Sequence, residues 1–147
     1  MTISVRPAAE ADLPALLALY AELHPGDTPL PAAAALPVWT EIQSQRGRVV
    51  LLAEQDGKAA GTADCTVLAN LTHGGRPFML IENVVVARAH RRAGVGTALL
   101  DAAAALARPA GCYKAQLLSR ADRTGAHAFY EACGFAPAAQ GYRRYFR

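Results

Sequence analysis

Residues 91–96 read Arg91-Arg92-Ala93-Gly94-Val95-Gly96 (RRAGVG), between the apolar run FMLIENVVV (78–86) and the alanine-rich segment TALLDAAAALA (97–107). The first flank is rich in β-branched residues and alternates faces, as a strand does. The second places Val95, Ala98, Leu99, Ala102, Ala103 and Leu106 on one face of a helix. The six residues therefore mark a strand-to-helix junction.

Such a junction can hold an anion. The first backbone N–H groups of a helix have no internal partner and carry the positive end of its dipole, so they can donate to phosphate oxygens. Gly94 and Gly96 would let the anion approach the backbone without a Cβ in the way. Arg91 and Arg92 add charge-assisted donors. Together these features predict a phosphate or pyrophosphate clamp, against the alternative of a glycine turn with surface arginines. Two better-known clamps do not fit. A P-loop needs lysine then Ser/Thr after its last glycine, where this chain has Thr97-Ala98. A dinucleotide fingerprint needs a third small residue, where it has Leu99.

Working outward, ISVRPA reads as a strand and Glu10 to Leu23 as an amphipathic helix carrying Leu13, Leu16, Leu17, Tyr20 and Leu23. The Pro/Gly-rich HPGDTPLPAAAALP reads as a mobile, substrate-covering loop before a helix around Val38 to Gln45. RVVLLAEQ, the turn Asp56-Gly57-Lys58 and AAGTADCTVLAN form a hairpin. After the central junction, Pro109 and Gly111 stop the helix, CYKAQLLS is a strand, AHAFYEAC a short helix closed by Gly134, and QGYRRYFR a last strand or extended tail. The order β-α-α-β-β-β-α-β-α-β predicts a mixed α/β (α+β) domain with a partly antiparallel sheet flanked by helices.

The 147 residues, 52% of them hydrophobic, suit one domain spanning 1–147. No window approaches the roughly 18 uninterrupted apolar residues of a membrane span, and MTISVRPAAEADL lacks a basic region followed by an apolar core, so a cytoplasmic protein with no membrane partner is expected. Cys65, Cys112 and Cys133, with His24, His73, His90 and His127, show no metal-ligand spacing, which predicts reduced thiols and no metal. The net charge of +3 conceals a split. Residues 1–87 hold five Lys/Arg against nine Asp/Glu, and residues 88–147 hold ten against three. The basic half suits an anionic ligand and the acidic half a cationic one. Nucleic acid is not indicated, because aromatic residues interleave with the basic ones only in the short tail.

The chain ENVVV-ARAH-RRAGVGTALL resembles the coenzyme A-binding core of the GNAT superfamily of acyl-CoA-dependent N-acetyltransferases, whose motif has Arg or Gln, two residues, Gly, one residue, and Gly or Ala. Arg91, Gly94 and Gly96 match it. Downstream, Phe129, Tyr130, Glu131, Gly134 and Phe135 resemble the family's second segment. The resemblance implies acetyl-CoA as co-substrate, its pyrophosphate resting on backbone amides from about Arg92 to Thr97, with Arg91, Ala93 and Val95 in the same turn. It also implies that the pantetheine arm pairs with Val84, Val85 and Val86 like an added strand, and that the thioester lies near Glu82 and Tyr130.

A protonated amine cannot attack, so a base must take its proton. Glu82 is the candidate, on the expectation that partial withdrawal from water raises its pKa; the plainer alternative is a strand-edge carboxylate that pairs with arginine or orients the amine. Tyr130 is the candidate acid for the departing thiolate, its alternative a core-facing aromatic, and a backbone N–H near Val84 the oxyanion donor. Where many relatives carry an asparagine before the Phe-Tyr pair, this chain reads ADRTGAHAFY, leaving Asp122, Arg123 and His127 open as replacements, with His127 read as a solvent-facing residue.

The acceptor is read as a small-molecule primary amine. IENVVV, CYK, FYEACGF and the tail Arg143-Arg144-Tyr145-Phe146 also resemble glucosamine-6-phosphate N-acetyltransferases, although Asn83 stands where those usually have aspartate. A non-catalytic acyl-CoA sensor is the reading from another class. The aromatic tail suggests a partner surface, and the resemblance admits a homodimer. The acceptor pocket is expected between residues 24–37 and 70–77.

Overall fold

A computed structural model describes residues 2–146. Strand β1 (Ile3–Pro7) leads through a 3-10 turn at Glu10–Asp12 into α1 (Leu13–Leu23), followed by α2 (Ala32–Ser44). Strands β2 (Arg48–Gln55), β3 (Lys58–Leu68) and β4 (Phe78–Val86) form an antiparallel meander with β1 at its outer edge. Helix α3 (Val95–Ala107) then crosses to β5 (Ala115–Gln116), which lies parallel to β4, and α4 (Thr124–Ala132) follows. The sheet order is β1-β2-β3-β4-β5. The β2–β3 turn forms because Asp56 and Gly57 both take left-handed backbone, φ 51° and 78°, which matches the strand twist.

The two faces of the sheet carry separate cores. Leu51, Ala63, Cys65, Met79 and Ile81 pack with Val95, Leu99 and Ala103 of α3, and Phe129 and Tyr130 of α4 join them. On the other face Val50, Leu52 and Val85 pack with Leu16, Leu19 and Trp39 from α1 and α2. Cys65 sits in the first core, where burial pushes its thiol up to about 12, and all three cysteines are free.

Three boundaries differ from the sequence reading. Helix α1 starts at Leu13 rather than Glu10. The Arg6 guanidinium donates to both Asp12 oxygens at 2.7 and 2.9 Å, and the Ala9 N–H donates to Asp12 as well, so the preceding residues wind as a 3-10 turn. Helix α2 starts at Ala32 rather than Val38. Four consecutive alanines favour helix, Ala35 and Trp39 share its buried face, and Pro37 deletes one backbone bond at an exposed position. The expected loop is thereby shortened to residues 24–31.

The third difference is at the end of the chain. The expected strand over CYKAQLLS contracts to Ala115–Gln116, and residues 133–146 contain no strand at all, so the observed order ends on α4. A two-residue β5 offers the tail a very short edge to pair with. Tyr142, Tyr145 and Phe146 consequently stand 84%, 81% and 85% exposed.

Within β4 the alternation of faces breaks once. Asp64 pairs with Glu82 and Thr62 with Val85, so Asn83 and Val84 together oppose the single residue Ala63. Asn83 is the bulge, with φ 53°, a conformation asparagine tolerates better than most residues. Before it Met79 and Ile81 face α3; after it Val84 and Val86 do.

Candidate active site

Strand β5 pairs with β4 only at Met79↔Ala115 and Leu80↔Gln116. From Ile81 to Val86 the β4 edge on that side has no strand partner among the described residues, and apart from the Val86 carbonyl, which Arg91 holds, it is open to an added strand. Val84 and Val86 are half-buried on the α3 face, and Val85 is buried against α1 and α2. Their side chains fix the strand while their backbone lines the open edge.

The edge leads to the N-terminus of α3. Gly94 caps that helix in left-handed backbone, φ 90°, and Arg92 two residues earlier has φ 61°. The first intrahelical bond runs from the Ala98 N–H to the Gly94 carbonyl, and no side chain caps the helix, so the N–H groups of Val95, Gly96 and Thr97 remain for a ligand. Left-handed residues beside a helix start make the concave array of N–H groups that binds anions.

The glycines and arginines of the turn also make contacts within the fold. A Cβ on Gly94 would meet only Ile3 Cδ1 at 3.8 Å, so the positive φ is what requires glycine there. Gly96 is buried, and a Cβ on it would lie 2.8 Å from Phe129 Cζ. Its smallness admits the Phe129 ring. Arg91 is exposed and donates from Nε to the Val86 carbonyl at 3.3 Å, tying the turn to the end of β4. Arg92 is exposed, Ala93 half-buried, Val95 part of the core, and Thr97 exposed.

Glu82 and Tyr130 flank this edge from opposite faces. Tyr130 is half-buried on the α4 side, its ring 5.3 Å from that of Phe129 and 6.1 Å from that of Phe135. Burial pushes its phenol up, opposed by the positive charge of Arg123. Glu82 lies on the α1/α2 face and is exposed, so the expected withdrawal from water is not found. The bulge at Asn83 that follows it shifts the faces of the strand, and Glu82 stays outside the α1/α2 core that buries Val85. Instead, its register partner Asp64 is buried, and the Arg48 guanidinium grips Asp64 through Nε at 3.0 Å and Nη2 at 2.5 Å.

Residues 13–135 match the Acetyltransferase (GNAT) family. The chain belongs to that family. It is 30% identical over 135 residues to a glucosamine 6-phosphate N-acetyltransferase of Trypanosoma brucei brucei, covering 90% of this chain and 88% of that protein. An aminoglycoside N(6')-acetyltransferase type 1 of Stenotrophomonas maltophilia is 30% identical over the same length and coverage. A solved chain from Agrobacterium tumefaciens str. C58, described only as an acetyltransferase, superposes with a TM-score of 0.93 at 38% identity, covering 97% of this chain and 99% of that one.

This GNAT protein is thus an acetyl-CoA-dependent N-acetyltransferase. Its residues suit the co-substrate: three uncapped N–H groups for a pyrophosphate, an unpaired strand edge for an amide-bearing arm, and a groove beside Tyr130. The groove measures about 1580 Å³, between residues 114–122 on one side and 134–143 on the other. This groove is a different surface from the acceptor pocket expected between residues 24–37 and 70–77. Arg76 donates to the Gly111 and Cys112 carbonyls, and His73 stacks on Tyr113 at 3.9 Å, which ties the second segment to the start of β5.

Of the residues left open before Phe129, Asp122 binds Arg120 at 2.9 Å, and the His127 ring bonds the Arg120 carbonyl at 2.7 Å rather than simply facing solvent. Arg123 is the one whose charge reaches Tyr130. Sequence reading missed the buried Asp64 that pairs with Glu82, whose only signal was a charged residue in an otherwise apolar strand run.

Proposed function

We propose that this GNAT protein transfers the acetyl group of acetyl-CoA to a primary amine of a small molecule by direct attack through a tetrahedral intermediate. The observation that carries the reading is the continuity of the unpaired Ile81–Val86 edge with the uncapped Val95–Thr97 N–H groups. In this reading the pyrophosphate lies on the turn from Arg92 to Thr97, and the arm pairs along Val84–Val86. The acyl carbon is then presented between Glu82 and Tyr130.

Glu82 takes the proton of the attacking amine, directly or through water, which its exposure permits. A backbone N–H near Val84, where the bulge turns the strand, stabilises the oxyanion. Tyr130 returns a proton to the thiolate. Burial keeps that phenol protonated, as an acid must be.

Both curated relatives are named for amine-bearing sugars, which supports an amino sugar as the acceptor class. Lys114, Arg120 and Arg143 line the groove beside Tyr130, which favours a phosphorylated amino sugar as the second reading. We place the protein in the reducing cytoplasm, on its three free thiols. We assign it a homodimer, in which the tail bearing Tyr142, Tyr145 and Phe146 packs on a second copy of the chain.

The test is release of free thiol from acetyl-CoA over a panel of amines that includes glucosamine, its 6-phosphate and an aminoglycoside. Turnover of at least one, lost in Tyr130→Phe, is expected. Acetyl-CoA binding without turnover on any amine would leave a sensor and end the transferase reading.

A further inference from the structure

Glu82 makes no hydrogen bond and no ion pair among the described residues, although two charged side chains share its face of the sheet. Val49, Cys65 and Ile81, which follow Arg48 and Asp64 and precede Glu82 in the chain, all pack on the α3 side. Strand side chains alternate, so Arg48, Asp64 and Glu82 all stand on the α1/α2 side. Asp64 is the register partner of Glu82 on β3, and β2 lies beyond it, so Asp64 stands between Arg48 and Glu82.

All three guanidinium nitrogens of Arg48 are engaged away from Glu82. Nε and Nη2 donate to the two Asp64 oxygens, and Nη1 donates to Gln45 Oε1 at 2.6 Å. Glu82 lies only one strand further on, about 4.8 Å across the sheet, within reach of a change of arginine rotamer. A guanidinium that paired with Glu82 would favour the ionised carboxylate and so oppose its uptake of a proton from an amine. The other titratable groups on the elements packed here are Tyr20 of α1, whose phenol is pushed up by burial and then by the Asp64 charge, and charges held elsewhere. Glu22 accepts from the Arg88 N–H at 2.8 Å, Asp12 and Glu54 hold Arg6, and Glu10, Glu41, Arg46 and Lys58 are exposed.

We propose that Asp64 is a positioning residue that acts through Glu82: by occupying the Arg48 guanidinium it keeps that cation off the Glu82 carboxylate and leaves the carboxylate free for the acceptor amine. The assignment rests on Glu82 being the base proposed above, and it explains why a carboxylate one strand from an arginine's partner stays unpaired.

The pH dependence of kcat/KM tests this on the full chain, with acetyl-CoA and the panel amine that turns over fastest. Glu82→Gln should abolish the acid limb, where activity falls as pH drops. Asp64→Asn frees the guanidinium to pair with Glu82, so it should move that limb down by about one pH unit and lower kcat/KM at neutral pH about 10-fold. The new surface pair restores little of the stability that the buried one supplied. Adding Arg48→Gln to Asp64→Asn removes the cation and should return the limb and most of the rate. Acetyl-CoA affinity should hold in every variant. Should Asp64→Asn fail to fold, Asp64→Ser leaves room for water beside the guanidinium and gives the same comparison. An acid limb that Asp64→Asn does not move, or a double variant no faster than the single one, makes Asp64 structural only and overturns the assignment while Glu82 stays the base. A limb that survives Glu82→Gln, or no turnover on any amine, removes the base reading and this inference together.

Discussion

A methyl group on Gly96 would sit 2.8 Å from Phe129 Cζ and 3.2 Å from its Cε1, so the glycine turn and the helix bearing Tyr130 are locked by one contact. The two halves of the site are set relative to each other by packing. Gly96→Ala should destabilise the protein by about 1–2 kcal/mol, the overpacking cost less the gain in helix propensity. Phe129→Leu removes the obstructing ring, so the double variant should be more stable than the sum of the single effects predicts, by about 0.5 kcal/mol or more. Urea unfolding of the four proteins measures this, and strict additivity would show the contact to be inconsequential.

That lock explains what the sequence could and could not show. RRAGVG and AHAFYEACGF were legible as two motifs, and the strand-to-helix junction, the hairpin and the meander stood where their patterns put them. The contact between the motifs was not legible, because it joins Gly96 to a ring 33 positions away, and a glycine needed for packing looks identical to one needed for anion access. The exposure of Glu82 was hidden for a similar reason. Hydrophobic neighbours in sequence suggest burial, but the bulge at Asn83 shifts the faces on either side of it. Of the strand and the extended tail that QGYRRYFR admitted, the tail is found, because a two-residue β5 leaves almost no edge to pair with.

Tyr130 should prove the acid. Burial favours its neutral form, so the folded-state pKa lies above the ordinary value near 10. A raised phenol keeps its contribution below the unfolded pKa and loses it as pH rises through the folded one. Any fall in kcat that belongs to Tyr130 therefore appears only above about pH 10. Tyr130→Phe should lower kcat about 10²- to 10⁴-fold and abolish that fall. Retention of wild-type kcat across the profile would reduce Tyr130 to packing.

Glu82 should separate rate from donor binding. It is exposed on the α1/α2 face, away from the α3 N-terminus. Glu82→Gln should cut kcat/KM for the amine by about 10²-fold or more and leave acetyl-CoA affinity unchanged. A loss confined to the KM of the amine would make the carboxylate an orienting group instead of a base.

The Arg48–Asp64 pair should matter to the fold beneath Glu82. Asp64 has a side chain only 5% exposed, whereas Arg48 keeps 23% exposure. Asp64→Asn strands the guanidinium, at a cost of about 3 kcal/mol, the low end for a buried pair because Arg48 still reaches water. Chemical denaturation reads the change; a shift under about 0.5 kcal/mol would show the pair to be no more than a surface bridge.

Removal of the tail tests the assembly. Residues 142–146 carry Tyr142, Tyr145 and Phe146, each more than four-fifths exposed in the single chain. Three neighbouring exposed aromatics form an apolar surface that water disfavours, and a second copy would cover it. Truncation after Gly141 should convert a dimer to a monomer in sedimentation velocity, with little change in melting temperature, since the tail supplies none of the buried core residues. The monomer should also lose activity on a phosphorylated amine more than on a neutral one, because Arg143 leaves the groove wall with the tail. A full-length chain that already sediments as a monomer would refute the dimer, and an unchanged preference between the two amines would remove Arg143 from acceptor recognition.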